Sequence, residues 1–421
     1  MSADLILYNI GELFCPIDNN EPLRGQAMNT AKIMHNAYIA IKAGKIQAIG
    51  EGEVPESLIS NETQKRDLSG LTVTPGLIDS HTHLVHGGSR ENEFSMKLNG
   101  VSYLDILAAG GGILSTVNAT KTSTFDELYT KAKKSLDTML IHGTTTVEAK
   151  SGYGLEWETE EKQLKVAKKL NEDHPVEVVS TFMGAHAIPT QLKENPEEFI
   201  KELTEFMIPE VSKHSLAEFC DVFCEHGVFS VEQTRRILKC AKENNLKIKI
   251  HADEIVSLGG AELAAEMGAH SAEHLMAASD EGISLMAKNN VIANLLPGTT
   301  FSLMKTSYAD ARKMIENNLA VALSTDYNPG SCPTENIQLI MQLGSLAMKM
   351  SPIEVFNAVT INGAHSLGRG HETGSFEVGK NADIVVFDAP NIDYILYHFG
   401  VNHVKEVYKN GNLVVQDRRV I

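Results

Sequence analysis

The chain has 421 residues, 43% hydrophobic and 22% charged, the balance of a soluble globular protein that can bury a large core without disulfide staples. Its formal net charge of −17 and pI near 5.4 argue against nucleic acid or an anionic membrane as partners. An anionic substrate would therefore need a local cation.

The N-terminus, Met1-Ser-Ala-Asp-Leu-Ile-Leu-Tyr, lacks the basic region and sustained apolar run of a signal peptide, and no later stretch reads as a membrane span. Leu5-Ile-Leu-Tyr-Asn and Ala37-Tyr-Ile-Ala-Ile-Lys read as short strands. Ala43-Gly-Lys turns the second into Ile46-Gln-Ala-Ile-Gly, a hairpin pattern. The far end has the same texture. Ile384-Val-Val-Phe387 and Val404-Lys-Glu-Val-Tyr-Lys409 precede the turn Asn410-Gly411 and Leu413-Val-Val415. Neither end is long enough to bury a core alone, so both are expected to build one small β-sandwich, from residues 1–72 and 369–421.

Residues 73–368 alternate strand and helix patterns. The expected strands are Val73–Asp79, Thr144–Ala149, Val176–Met183, Cys220–Cys224, Leu246–Ile250, Ala269–Ala272, Val291–Leu295 and Ala320–Ser324. Helical stretches such as Glu158–Asp173, Val231–Glu243 and Gly260–Glu266 lie between them. Eight such strands are the count of a (β/α)8 TIM barrel, an α/β fold; a doubly wound open sheet is the alternative. The first connection, residues 84–142, contains Gly110-Gly-Gly-Ile-Leu-Ser-Thr, which reads as a loop or helix-start turn more than as a phosphate cradle. Cys15, Cys220, Cys224, Cys240 and Cys332 are an odd set that reads as reduced thiols of a cytoplasmic protein. Cys220 and Cys224 have zinc-ligand spacing but no second pair, so they read as buried thiols.

The chemistry concentrates where these strands end. Asp79-Ser-His81-Thr-His83 follows the first. Residues i and i+2 of an extended strand share a face, so both imidazoles can reach one point. Glu148-Ala-Lys150-Ser-Gly-Tyr153, Gly184-Ala-His186, Glu225-His226, His251-Ala-Asp253-Glu254, Glu273-His274 and Thr325-Asp326-Tyr-Asn328 follow other strands. In a barrel these ends face one mouth. His81, His83, His251 and Asp326 form a three-histidine, one-carboxylate set of the type that binds zinc or ferrous iron. Such an ion lowers the pKa of a bound water from ~15.7 to ~7. His274 and Glu254 sit beside that set, the first able to hydrogen-bond a carbonyl oxygen, the second able to move a proton. Asp253, adjacent to Glu254, points elsewhere and reads as structural.

In order and strand position, His81-Thr-His83, His251, His274 and Asp326 resemble the amidohydrolase superfamily of metal-dependent hydrolases. Gly87-Gly-Ser-Arg90-Glu, Lys150-Ser-Gly-Tyr153-Gly, Met183-Gly-Ala-His186 and Thr325-Asp326-Tyr-Asn328-Pro-Gly-Ser331 resemble the branch acting in histidine degradation. The resemblance spans essentially the whole chain. It implies that water opens the ring of 4-imidazolone-5-propanoate to give N-formimidoyl-L-glutamate. It implies one zinc or iron ion per subunit on His81, His83, His251 and Asp326, and catalytic roles for Glu254, His274 and Asp326. It implies substrate contacts at Arg90, Tyr153, His186 and Glu254, a product-holding segment at Asn328, Gly330 and Ser331, and a homodimer. Two positions depart from the pattern. His86 stands where an apolar residue is usual, and the fourth strand ends Cys224-Glu225-His226 with no bridging lysine, which favours a single metal.

Overall fold

A computed structural model describes residues 2–101 and 111–421. Gly110 of the glycine run lies outside them. Gly112, at φ +73°, opens a helix over Ile113–Thr122, so the run ends as a helix-start turn.

The chain ends form one continuous sheet of nine strands. In chain order these are β1 (Leu5–Pro16), β2 (Ala31–Lys42), β3 (Lys45–Glu51), β4 (Gln64–Asp67) and β5 (Thr72–Pro75), then β14 (Ile384–Phe387), β15 (Val404–Lys409), β16 (Asn412–Gln416) and β17 (Arg419–Val420). Both expected hairpins are present. Asn410 and Gly411 have φ +49° and +73°, and Ala43 and Gly44 have φ +49° and +76°, the paired positive values of a two-residue turn. Alternation gives this sheet two apolar faces. Ile384, Val386 and Tyr408 join Leu7, Leu13, Ile39 and Val73 in a core of its own. Val385, Phe387 and Val407 face the larger core of the barrel's helices.

The second sheet holds eight parallel strands in sequence order: β6 (Leu77–Asp79), β7 (Thr144–Lys150), β8 (Glu177–Ala185), β9 (Phe219–Cys224), β10 (Lys247–Ala252), β11 (Ser271–His274), β12 (Ile292–Leu295) and β13 (Val321–Leu323). Every expected strand is present, with one change. The run 73–79 breaks at Gly76, where a Cβ would lie 2.1 Å from Thr145 Oγ1. Residues before it pair with β1 and β14; residues after it pair with β7. The seam between β6 and β13 is joined beyond the strands, by Asp326 N–H to the His81 carbonyl (3.0 Å) and His83 N–H to the Tyr327 carbonyl (2.8 Å). The sheet is a nearly closed (β/α)8 barrel.

Helices cover the outside. The helix Val231–Glu243 starts at a capping box between Ser230 and Gln233, worth about 1 kcal/mol, and buries Thr234, Ile237, Leu238 and Ala241 at helical spacing. On β10, Ile248, Ile250 and Ala252 pack into that helix layer, so Lys249 and His251 point into the barrel. The same alternation turns Thr146, Glu148 and Lys150 of β7 and Asp221 of β9 inward. The interior is therefore filled largely by polar and charged side chains.

Candidate active site and metal centre

The His81-Thr82-His83 stretch is held extended between its neighbours. Lys150 N–H donates to the Thr82 carbonyl (2.9 Å), and Thr82 Oγ1 donates to the Glu148 carbonyl (2.5 Å). Thr82 thus turns to the strand beside it, and the two imidazoles share the opposite face. His251 comes from β10, His274 from the last position of β11, and Asp326 from just beyond β13. Alternation alone would turn His274 away from Glu273. Its φ of +71° takes it off the extended path, and Asp326 has φ +56°. A left-handed non-glycine residue costs about 1–2 kcal/mol, strain typical of a functional site.

The rings converge. The His81 centroid lies 4.6 Å from His251 and 5.7 Å from His274, and His83 lies 5.7 Å from His251. Asp326 Oδ1 is 3.4 Å from His81 Nε2 and 3.6 Å from His83 Nε2. Donor atoms of His81, His83 and Asp326 lie within 4.8 Å of one another, as do those of His81, His251 and His274. The second trio makes His274, expected beside the centre, also a neighbour of the donors. Among the described residues, His81 Nε2, His83 Nδ1, both ring nitrogens of His251 and His274 Nδ1 are buried without a hydrogen-bond partner. Each such atom costs about 1–3 kcal/mol. Five of them on four converging rings, beside a carboxylate, fit a bound cation.

The electrostatics favour neutral rings at His81 and His83. Burial holds His81 and His83 well below the usual imidazole range, reinforced by Lys150 and His251 at His81 and by His186 and His251 at His83. For His251 burial acts downward, but Asp221 on Nδ1 outweighs it and the net shift is upward. Burial raises Asp326, opposed by His274 and by Thr299, whose hydroxyl donates to Oδ2 at 2.5 Å. That bond leaves Oδ1 facing the histidines.

Carboxylates not expected from the sequence hold the rings from below. Glu273 Oε2 takes His81 Nδ1 at 2.7 Å and Asn294 Nδ2 at 2.8 Å. Asp221 Oδ2 lies 3.0 Å from His251 Nδ1, and its Oδ1 accepts from the His251 backbone N–H at 3.1 Å. The signal for Asp221 is a lone acidic residue inside an apolar strand, Phe-Cys-Asp221-Val-Phe, and Glu273 stands among the polar residues at a strand end. Asp79, also buried, clamps Thr325 through its N–H (3.0 Å) and hydroxyl (2.6 Å), setting the residue before Asp326.

At the mouth, His186 stacks on His83 at 4.9 Å and 17°, and donates through Nδ1 to the Gly152 carbonyl at 3.1 Å. Burial, then His251, pushes His186 down to about 3. Tyr153 lies 5.2 Å from His186 and 5.6 Å from His83. Glu254 Oε2 stands 3.8 Å from His274 Nε2. Arg90 Nε donates to Glu93 (3.1 Å), while its Nη atoms lie against Gly330, where a Cβ would sit 2.1 Å from Nη1. Only glycine admits the guanidinium there. Asn328 is committed to its own loop: Oδ1 accepts from Gly330 N–H (2.8 Å) and Ser331 N–H (2.7 Å), and Nδ2 donates to the Asp326 carbonyl (2.6 Å). Lys97, unnoticed in the sequence, donates to the Gly330 carbonyl at 3.0 Å.

His86 is buried between Tyr153 and Tyr327, with Nδ1 on the His83 carbonyl at 2.9 Å; burial, then Lys131, holds it near 3. Glu225 caps turns, accepting from His226 N–H (2.8 Å) and Ile255 N–H (2.9 Å), so both oxygens are occupied away from the donors. Asp253 caps the helix Gly260–Met267 through Gly260 and Ala261 N–H. Cys220 and Cys224 are buried thiols, and burial raises both.

A (β/α)8 barrel with histidines and an aspartate at its strand ends defines a class of hydrolase. The chain belongs to the amidohydrolase family, which it matches over residues 72–414, and within it to the imidazolonepropionases, hydrolases that act on a carbon–nitrogen bond. It is 59% identical over 422 residues to imidazolonepropionase of Alkaliphilus metalliredigens, with all of both chains covered. It is 56% identical over 421 residues to that of Streptococcus gordonii, again with full coverage of both. The fold is shared more widely. A zinc-bound adenosine deaminase from Xanthomonas campestris aligns with TM-score 0.69 at 17% identity, covering 100% of this chain and 94% of its own. A variant atrazine chlorohydrolase from Arthrobacter aurescens TC1, complexed with zinc and atraton, aligns with TM-score 0.73 at 16% identity, covering 99% and 96%. Family membership and the donor set indicate a divalent metal ion. No helix among the described residues is long and apolar enough to cross a membrane.

Proposed function

We propose that this chain hydrolyses 4-imidazolone-5-propanoate to N-formimidoyl-L-glutamate, with one zinc or iron ion held by His81, His83, His251 and Asp326. The observation that carries the reading is the cluster of converging buried imidazoles beside Asp326, with ring nitrogens that have no hydrogen-bond partner among the described residues, in a chain whose full-length relatives are imidazolonepropionases. A bound ion supplies Lewis acidity there and lowers the pKa of a coordinated water to ~7.

The remaining steps belong to the side chains. Asp326 takes the proton of the attacking water and returns it to the leaving ring nitrogen. The water oxygen joins the ring carbonyl carbon, the carbon–nitrogen bond breaks, and a carboxylate and an amidine nitrogen result. His274 donates to the carbonyl oxygen as charge develops, and Glu254, 3.8 Å from it, orients the ring. Tyr153 and His186 wall the ring. The Nη atoms of Arg90 bind the propionate carboxylate, and the Gly330–Ser331 segment, shaped by Asn328, holds the product. The setting we propose is a cytoplasmic homodimer with a division of domains at residues 72 and 368.

The test is loss of imidazolone absorbance by the metal-loaded protein, followed by product identification. Ring opening gives N-formimidoyl-L-glutamate and no ammonia. Stoichiometric ammonia release would mark a deaminase instead and overturn the reading.

A further inference from the structure

The Lys150-Ser-Gly-Tyr153-Gly segment enters the proposed chemistry only through Tyr153. Lys150 points the other way, onto the barrel axis. Its Nζ lies 2.7 Å from Asp221 Oδ2 and 2.9 Å from Glu148 Oε2, and all three side chains are fully buried. Glu148 also takes Lys249 Nζ at 3.0 Å and the Thr181 hydroxyl at 2.5 Å. With Glu273, the floor beneath the imidazoles carries three carboxylates and two ammonium groups, none exposed. Burying each ion costs several kcal/mol, and apolar side chains fill the interiors of most barrels. Fold stability alone does not call for this arrangement.

What the network touches points to its role. Asp221 meets His251 twice, through Oδ2 to Nδ1 at 3.0 Å and through Oδ1 to the backbone N–H at 3.1 Å. The same Oδ2 is the atom that Lys150 holds. We infer that Lys150 is a positioning residue for the metal, acting through Asp221 on His251. The ammonium fixes Asp221 in rotation, so that the carboxylate holds the His251 ring with Nδ1 on the floor side and Nε2 presented to the donor cluster. Burial alone would lower Lys150; Asp221 and Glu148 outweigh it and keep it protonated. The inference rests on the reading that His251 is a ligand, and it concerns metal affinity, not the ring chemistry.

The experiment is a double-mutant cycle read by zinc affinity. Full-length protein is stripped of metal, reloaded with zinc ion and titrated with a competing chromophoric chelator. The variants are Lys150→Met, Asp221→Asn and the pair together. Loss of a group that orients a ligand typically weakens metal binding about 10- to 100-fold. Each single substitution is expected to fall in that range, and the pair to be no weaker than Asp221→Asn by more than about 3-fold, because both act along one path. Melting of the metal-free proteins reports the fold separately. If Lys150→Met does not fold alone, the pair against Asp221→Asn carries the comparison, since removing both partners leaves neither unpaired. Multiplicative losses, or wild-type affinity in Lys150→Met, overturn the inference. Wild-type protein that takes up no zinc at all overturns the metal reading instead, which keeps the two failures apart.

Discussion

The floor and the mouth of this site are built on different principles. On the floor, His81 and His251 each give a ring nitrogen to a carboxylate, and each carboxylate is itself held, Glu273 by Asn294 and Asp221 by Lys150. Asp221 to His251 and Glu273 to Asn294 join neighbouring strands, whereas His81 to Glu273 and Asp221 to Lys150 cross the barrel interior, so ladder register and barrel closure together set their geometry. At the mouth, Arg90, Tyr153, Glu254 and residues 328–331 lie on the connections that follow strands. They are located by ring contacts, Asx turns and one ion pair. A floor contact cannot shift without moving a strand, whereas a mouth contact can adjust. Metal binding is therefore expected to fail sharply and substrate reading to fail by degrees.

The largest effect belongs to the floor. His251→Ala removes a donor and leaves Asp221 without its ring partner, so metal and activity are expected to be lost together. Elemental analysis decides this, and full occupancy in the variant would remove His251 from the ligand set.

One step outward, Glu254→Gln keeps shape and removes charge at a residue that touches the donors only across 3.8 Å. Metal is expected to stay, while kcat drops by about 10²-fold, the order expected when a reacting ring loses the group that orients it. A kcat near wild type would reassign Glu254 to the structure of the loop.

At the mouth, Arg90→Lys is expected to raise KM with metal content intact. Losing one charged hydrogen bond corresponds to roughly 1.5–3 kcal/mol, or about 10- to 150-fold in kcat/KM. Because Glu93 engages Nε, a carboxylate would meet the Nη atoms, and a lysine cannot serve both partners in that geometry. A ring analogue without the carboxylate should be nearly indifferent. An equal penalty on acid and analogue would show that Arg90 serves the loop through Glu93.

The smallest effect is assigned to Lys97, whose contact with the Gly330 carbonyl is partly open to solvent. Burial, then the nearby Arg90 charge, lowers its pKa. Lys97→Met is expected to raise KM about 2- to 5-fold without changing kcat, in keeping with the ~1 kcal/mol ceiling of a screened contact. A loss as large as that of Arg90→Lys would break the ordering of floor over mouth.

The sequence by itself determined the barrel, the sheet from both ends and the cluster of donors. Those features rest on local signals: period-two runs, the turn residues at 43–44 and 410–411, and histidines spaced i, i+2 at a strand end. The place where one strand becomes two was not legible, because Gly76 matters only through its closeness to Thr145 of the next strand. The pairing of Arg90 with Glu93 was readable as an alternative to substrate contact, being three residues apart; the position of both against Gly330 was not. The tertiary structure alone decided which carboxylates hold which rings. Asp221 lies 30 residues from His251, and Glu273 lies 192 residues from His81. Parallel register sets Lys249 opposite Asp221 and so brings His251 beside it, while His81 meets Glu273 across the barrel interior. Which inward side chain of one strand meets which of another is a property of the closed barrel, and no pattern along a single strand encodes it.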